Sequence, residues 1–207
     1  MKKYCVFLGC CFLCCPLSAN DCLGYKNIPR IVINVPDWTK RVVQPKEPMD
    51  LWHGNVVATL QESYDIATEI RQVKGGFCIG LKSVNITMGF SDFVVNIDIR
   101  HQPDSCQYNA VLAHEEKHLN TYLSVMDDFM VDLHKSVFAA ADSVMPVFVE
   151  SKDDFDDVID KMNKELQNHP DLVLVKQKIK AAEEIRNKQI DQEEDYQELN
   201  KCNGIQS

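Results

Sequence analysis

Beyond its first twenty residues this chain has no apolar run approaching the roughly twenty residues that a membrane helix needs, so no span is expected. It is short of basic charge. The 22 Lys and Arg face 31 Asp and Glu, a net −9, which argues against nucleic acid and anionic membrane surfaces as partners. Internal repeats are missing, which excludes a solenoid or other repeat array. Closely spaced cysteine pairs are missing beyond the N-terminus: Cys22, Cys78, Cys106 and Cys202 stand too far apart for a cysteine zinc site. Gly and Pro are absent from Asp104 to Met145, so nothing there interrupts a long helix before Pro146.

The start of the chain reads as a secretory signal over residues 1–19. Lys2 and Lys3 precede a short apolar run, Val6 to Leu17, and Leu17-Ser18-Ala19 offers a cleavage site with a large residue at its first position. The expected location is therefore exported, periplasmic or secreted. Removing the signal takes the 22 basic residues to 20 against an unchanged 31 acidic, so −9 becomes −11. It also leaves Cys22, Cys78, Cys106 and Cys202. Four cysteines in an oxidising compartment predict two disulfides. Of the three pairings, Cys78–Cys106 would tie the sheet to the start of the long helix, and Cys22–Cys202 would tie the termini.

At 207 residues the chain suits one domain, with residues 20–150 forming a sheet and a long helix and residues 151–207 completing it with further helices. Ile31 to Val35 reads as a first strand between proline-bearing loops. From Tyr64 the pattern has period two, with a hairpin turn at Lys74-Gly75-Gly76. The phase slips near Lys82-Ser83, which predicts a bulge or bend. Phe93, Val95, Ile97 and Ile99 read as the next strand. The expected fold class is α+β: a small antiparallel sheet of three or four strands on one long helix. Asp104 with Gln107 reads as the capping box of that helix, with a bend or break expected near Asp127-Asp128. Two further helices follow, one opened by Ser151 with Asp154 and ended at Asn168-His169-Pro170, the other charged and running to about Asn200. His53 and His101 read as surface residues and His169 as a helix cap.

The long helix carries His114-Glu115-Glu116-Lys117-His118, an HExxH sequence. Histidines four apart on a helix lie about 40° apart around its axis and one turn along it, so both can reach one ion. Zn²⁺ suits imidazole nitrogen, and two His with one carboxylate leave a position open for water. Glu115 is then the general base toward that water. Glu116, about 100° further round the helix, points elsewhere. A solvated helix face that carries two histidines is the alternative.

A catalytic zinc needs a third protein ligand. The metzincin extension would place Gly at 121 and His at 124, where the chain has Thr121 and Ser124. Asp127 and Asp128 lie about 15 Å of helical rise past His118, and His134 lies further. A carboxylate from a later helix is what remains.

The run from Ser105 to His118, with Cys106 ahead of the first His, resembles a group of uncharacterised exported bacterial HExxH proteins described as secreted zinc-dependent proteases. Asp191, Glu194, Tyr196 and Cys202 match an Asp-x-x-Glu-x-Tyr element followed by Cys near their C-termini, and Gly75-Gly76-Phe77-Cys78 is similar to their Gly-rich turn. The resemblance implies a zincin-like architecture. It implies Glu194 as third metal ligand, with Asp191 the next choice, and Tyr196 as donor to an oxyanion. The expected activity is zinc-dependent hydrolysis of a peptide or protein substrate by His114, His118 and Glu115. The rival is a non-catalytic envelope scaffold or binding protein of zincin-like fold. No sequence feature bears on specificity or oligomeric state.

Overall fold

The computed structural model describes residues 19–49, 53–193, 201 and 202. Two strands dominate it. β3 (Gly54–Val73) and β4 (Gly76–Ile97) form one long hairpin around Lys74-Gly75, where Gly75 has φ 87°, a conformation that costs Gly little. Two short strands precede them, β1 (Arg30–Asn34) and β2 (Thr39–Val43). After them come helix α1 (Cys106–Ser143), strand β5 (Val147–Val149), and helices α2 (Phe155–Gln167) and α3 (Pro170–Glu193).

The parity of the buried residues explains why β4 runs so far. Ile79 and Leu81 are buried at odd positions, Val84 to Phe90 at even ones, and Phe93 to Ile97 at odd ones again. Each change falls at a bulge. Ala67 and Thr68 pair with Ser83 and Leu81, leaving Lys82 over; Thr59 and Leu60 pair with Asp92 and Phe90, leaving Ser91 over. One extra residue flips every side chain beyond it, and here the flips keep a single apolar face toward the helices. The slip expected near Lys82-Ser83 is the first bulge. The second resembles a strand boundary in the sequence, yet it lies inside one strand.

The sheet is five-stranded and mixed, not small and antiparallel. β4 is central, with β3 along one edge and β5, β1 and β2 in succession along the other. β1 and β2 both run parallel to β4, while β3 and β5 run against it. The expected antiparallel fold fails on those parallel pairings, and the zincin-like arrangement built on it falls with it. A period-two pattern reports which face is buried and carries no information about a neighbour's direction.

Ser105 accepts a hydrogen bond from the Tyr108 N–H at 3.1 Å and caps α1; Asp104, expected in that role, stands one residue outside it at φ 63°. α1 then continues unbroken through Asp127-Asp128. Its Leu119, Leu133 and Val137 share one core with the apolar face of β4, with Met162 and Leu166 of α2, and with Leu172, Val175 and Ile179 of α3. The opposite face of the sheet is polar, crossed by Asn34–Asn85 and Asn96–Asn55 side-chain hydrogen bonds. Among the described residues no helix is long and apolar enough to cross a membrane.

Among the described residues two disulfides are present, in a pairing other than the expected one: Cys22–Cys78 and Cys106–Cys202, with Cα separations of 5.5 and 5.6 Å. Cys78 is near the start of β4 and Cys106 lies beyond its far end; the strand from Cys78 to Ile97 spans roughly 60 Å at about 3.3 Å per residue, more than the short connection from Ile97 to Cys106 can retrace, so no bond can join them. Proteolytic mapping without reduction should recover the two observed linkages. A Cys78–Cys106 peptide would contradict the continuous β4.

Candidate metal centre

His114 and His118 stand one turn apart on α1, and α3 runs beside that face. Asp191 of α3 completes a group of three. The two Nε2 atoms are 3.1 Å apart, and Asp191 Oδ1 lies 3.5 Å from that of His114 and 3.1 Å from that of His118. Ligands placed tetrahedrally at about 2.0–2.1 Å from zinc stand roughly 3.3 Å from one another. The three atoms therefore already have the spacing of one face of a coordination tetrahedron, and the group can hold a metal ion.

His118 is also oriented from behind. Its Nδ1 lies 3.0 Å from Asn187 Oδ1, one turn before Asp191 on α3. Since an amide oxygen only accepts, the proton belongs on Nδ1 and the lone pair on Nε2, facing the other two groups. Glu183, Asn187 and Asp191 thus form a polar row at one-turn spacing opposite His118 and Tyr122. That i, i+4, i+8 row is visible in the sequence and was the available signal for Asn187 and Glu183.

Glu115 points between α1 and the sheet, 4 % exposed. Among the described residues no hydrogen-bond donor or cation meets its carboxylate. Burial, and secondly the negative charge of Asp191, push its pKa up to about 7. The Tyr122 hydroxyl is raised too, by burial first and then by Glu183 and Glu115; burial and Glu184 raise Glu183. Glu116 turns the other way and pairs with Lys40 of β2, as its place on the helix requires.

Gly54 opens β3 directly against Glu115. A Cβ there would meet Val111 Cγ1 at 2.6 Å, Glu115 Oε1 at 2.7 Å and the Asn96 carbonyl at 3.0 Å. Gly54→Ala should cost about 1–3 kcal/mol of stability by overpacking and should displace the Glu115 carboxylate. Denaturant unfolding checks the first effect; an unchanged midpoint would mean that this contact yields freely.

His114, His118 and Asp191 are brought together as described, while Glu194 and Tyr196 lie outside the described residues. Asp128 is engaged elsewhere, 2.7 Å from Arg186. His53 and His101 are not simple surface residues: His53 Nδ1 and His101 Nε2 are 2.9 Å apart, both rings half-buried. Burial is the first cause lowering both pKa values. Beside them the fully buried Asp98 accepts hydrogen bonds from the Met49 and Arg100 N–H groups and from the Arg100 guanidinium, which holds it well below the usual carboxylate range. His169 does cap a helix, its Nδ1 accepting from the Asp171 N–H at 3.3 Å at the start of α3.

Comparison with protein-family models, with curated proteins and with solved structures returns no match, so the function of this centre rests on its own residues.

Proposed function

We propose that the protein is an exported metallohydrolase, most simply a zinc-dependent peptidase, with His114, His118 and Asp191 as metal ligands and Glu115 as general base. The observation that carries this reading is the 3.1, 3.1 and 3.5 Å triangle of ligand atoms beside a buried carboxylate that no cation among the described residues offsets. Two imidazoles and one carboxylate suit zinc in a catalytic, open site.

Bound there, the ion would supply Lewis acidity toward a carbonyl and toward water. The protein's part is proton handling and orientation. Glu115 accepts a proton from water at a carboxylate oxygen and returns it to a leaving amine; in the metal-free protein burial and Asp191 raise its pKa, and a bound cation would favour its ionised, proton-accepting form. Asn187 keeps the Nε2 lone pair of His118 directed into the site. Glu116, held by Lys40, takes no part. The two disulfides are compatible with an oxidising, extracytoplasmic location; the signal expected over residues 1–19 lies, but for Ala19, outside the described residues.

Metal analysis of the purified protein tests the reading. One zinc per chain is expected, and His114→Ala or His118→Ala should each abolish stoichiometric binding, since two remaining ligands hold zinc poorly. Retained one-to-one zinc in either variant would sink the ligand assignment. Stoichiometric zinc without turnover of any generic peptide would favour the scaffold reading.

A further inference from the structure

The half of α3 that carries Asp191 is not held by the core. Leu172, Val175 and Ile179 are its buried residues, all in the first half of the helix, and Ala182 is partly buried. From Lys180 to Gln192 no described side chain is buried. Beyond Ala182 at the edge of the core and the half-buried Ile190, the contacts that join this half to α1 among the described residues are polar: Asn187 on His118, Arg186 on Asp128, and the Asp191 contacts themselves. Arg186–Asp128 is an exposed ion pair, a kind of contact that contributes little to stability, and a helix end so held frays readily. A ligand on a fraying segment must be ordered by each binding event, at the expense of affinity.

The chain holds one covalent link across this gap. Cys106 is the first residue of α1, eight before His114, and Cys202 lies eleven beyond Asp191. Their disulfide ties a residue beyond α3 to the first residue of α1, the helix that carries the HExxH segment. The other disulfide, Cys22–Cys78, lies toward the opposite end of β4 and joins no residue of either ligand helix.

We propose that Cys106–Cys202 is a positioning element of the metal centre, holding the polar half of α3 on α1 so that Asp191 meets His114 and His118. This rests on the reading of those three residues as metal ligands. The bond makes no contact with the ion; it confines Asp191 to the neighbourhood of the two histidines and so raises its effective concentration there. Breaking it should weaken metal binding while α1, the sheet and the core-docked half of α3 stay folded.

The test uses the full chain with Cys106→Ser and Cys202→Ser combined, so that neither partner is left as a lone thiol. Zn²⁺ and Co²⁺ dissociation constants are read by competition with a chromogenic chelator, and the fold by circular dichroism. A tenfold or greater weakening is expected, with Cys22→Ser plus Cys78→Ser leaving the constants unchanged. Asp191→Asn provides a readout that general loosening would not move. It should weaken binding strongly with the disulfide intact and by a smaller factor without it, because the two changes act through one group. Unchanged affinity in the Cys106/Cys202 variant, or an Asp191→Asn effect equal in both backgrounds, overturns the proposal. Should that variant not fold, the Cys22/Cys78 variant, whose remaining bond among these four cysteines is the one in question, is reduced with a phosphine, alkylated and titrated to the same criteria. A wild-type protein that binds neither metal overturns the ligand assignment itself; wild-type binding with an indifferent disulfide overturns only this step.

Discussion

Glu115→Gln is expected to lower peptide hydrolysis by two to four orders of magnitude and to leave zinc stoichiometry unchanged. Gln fills nearly the same volume beside Gly54 and Val111, so the packing of α1 on β3 survives. What is lost is the acceptor for the proton of water. The substitution should also reveal the strain that the carboxylate causes in the metal-free protein. Its pKa in the fold, about 7, is raised above the ordinary 4.5, first by burial and then by Asp191. The folded state therefore holds this proton more tightly than the unfolded chain. Stability is full below about pH 4.5 and declines as pH rises through about 7.

A shift of that size corresponds to about 3 kcal/mol, at roughly 1.4 kcal/mol per pKa unit. Metal-free Glu115→Gln should thus be more stable than metal-free wild type at pH 8, by up to about that amount, and the advantage should vanish near pH 4.5. Glu183, raised in the same direction, remains in both proteins and cancels in the comparison. Zinc should narrow the gap at pH 8, since a cation beside Glu115 favours its ionised form. Undiminished turnover in Glu115→Gln would end the general-base assignment; equal stability of the two metal-free proteins at pH 8 would mean the carboxylate is satisfied in a way its surroundings do not show.

How much of this was legible in the sequence depends on what each pattern encodes. HExxH fixes residue types at helical spacing, and one helix is enough to bring His114 and His118 together. Alternation encodes faces, so the apolar side of β3 and β4 and the slip at Lys82 could be read directly. It does not encode partners. β1 and β2 lie parallel to β4 because of where the chain crosses, and nothing in Ile31-Val32-Ile33 or Arg41-Val42-Val43 states that. The slip at Ser91 was equally visible, but a phase change looks the same whether a strand ends or bulges. Taking it for an end cut β4 short, and a shortened β4 does not show how far apart Cys78 and Cys106 stand. β5 is three residues long, too short for any period to register. Asp191 needed a resemblance to be noticed; its partner Asn187 needed only the one-turn row on α3, read against the histidine row on α1.

Asp191→Asn is the substitution expected to affect metal binding most among residues outside the HExxH segment. Asn preserves shape and keeps an oxygen toward the histidines but removes the anionic ligand, and a neutral amide is a far weaker donor to zinc. Residues that merely orient a ligand typically change affinity by about 10–100-fold. A ligand should cost at least as much, so Asp191→Asn is expected to weaken zinc by about 100-fold or more. Asn187→Ala, which frees His118 Nδ1, should fall inside the 10–100-fold range. Glu194→Gln, at the position the resemblance ranked first, decides between the two carboxylates. With Asp191 Oδ1 at 3.1 and 3.5 Å from the two Nε2 atoms, the third corner is already filled, and Glu194→Gln should retain full zinc. Chelator competition on the three variants side by side measures all of this. Loss of zinc in Glu194→Gln with full retention in Asp191→Asn would return the third ligand to Glu194. Asp191 would then be the nearby charge that raises Glu115, and the polar row on α3 would serve to orient the site instead of closing it.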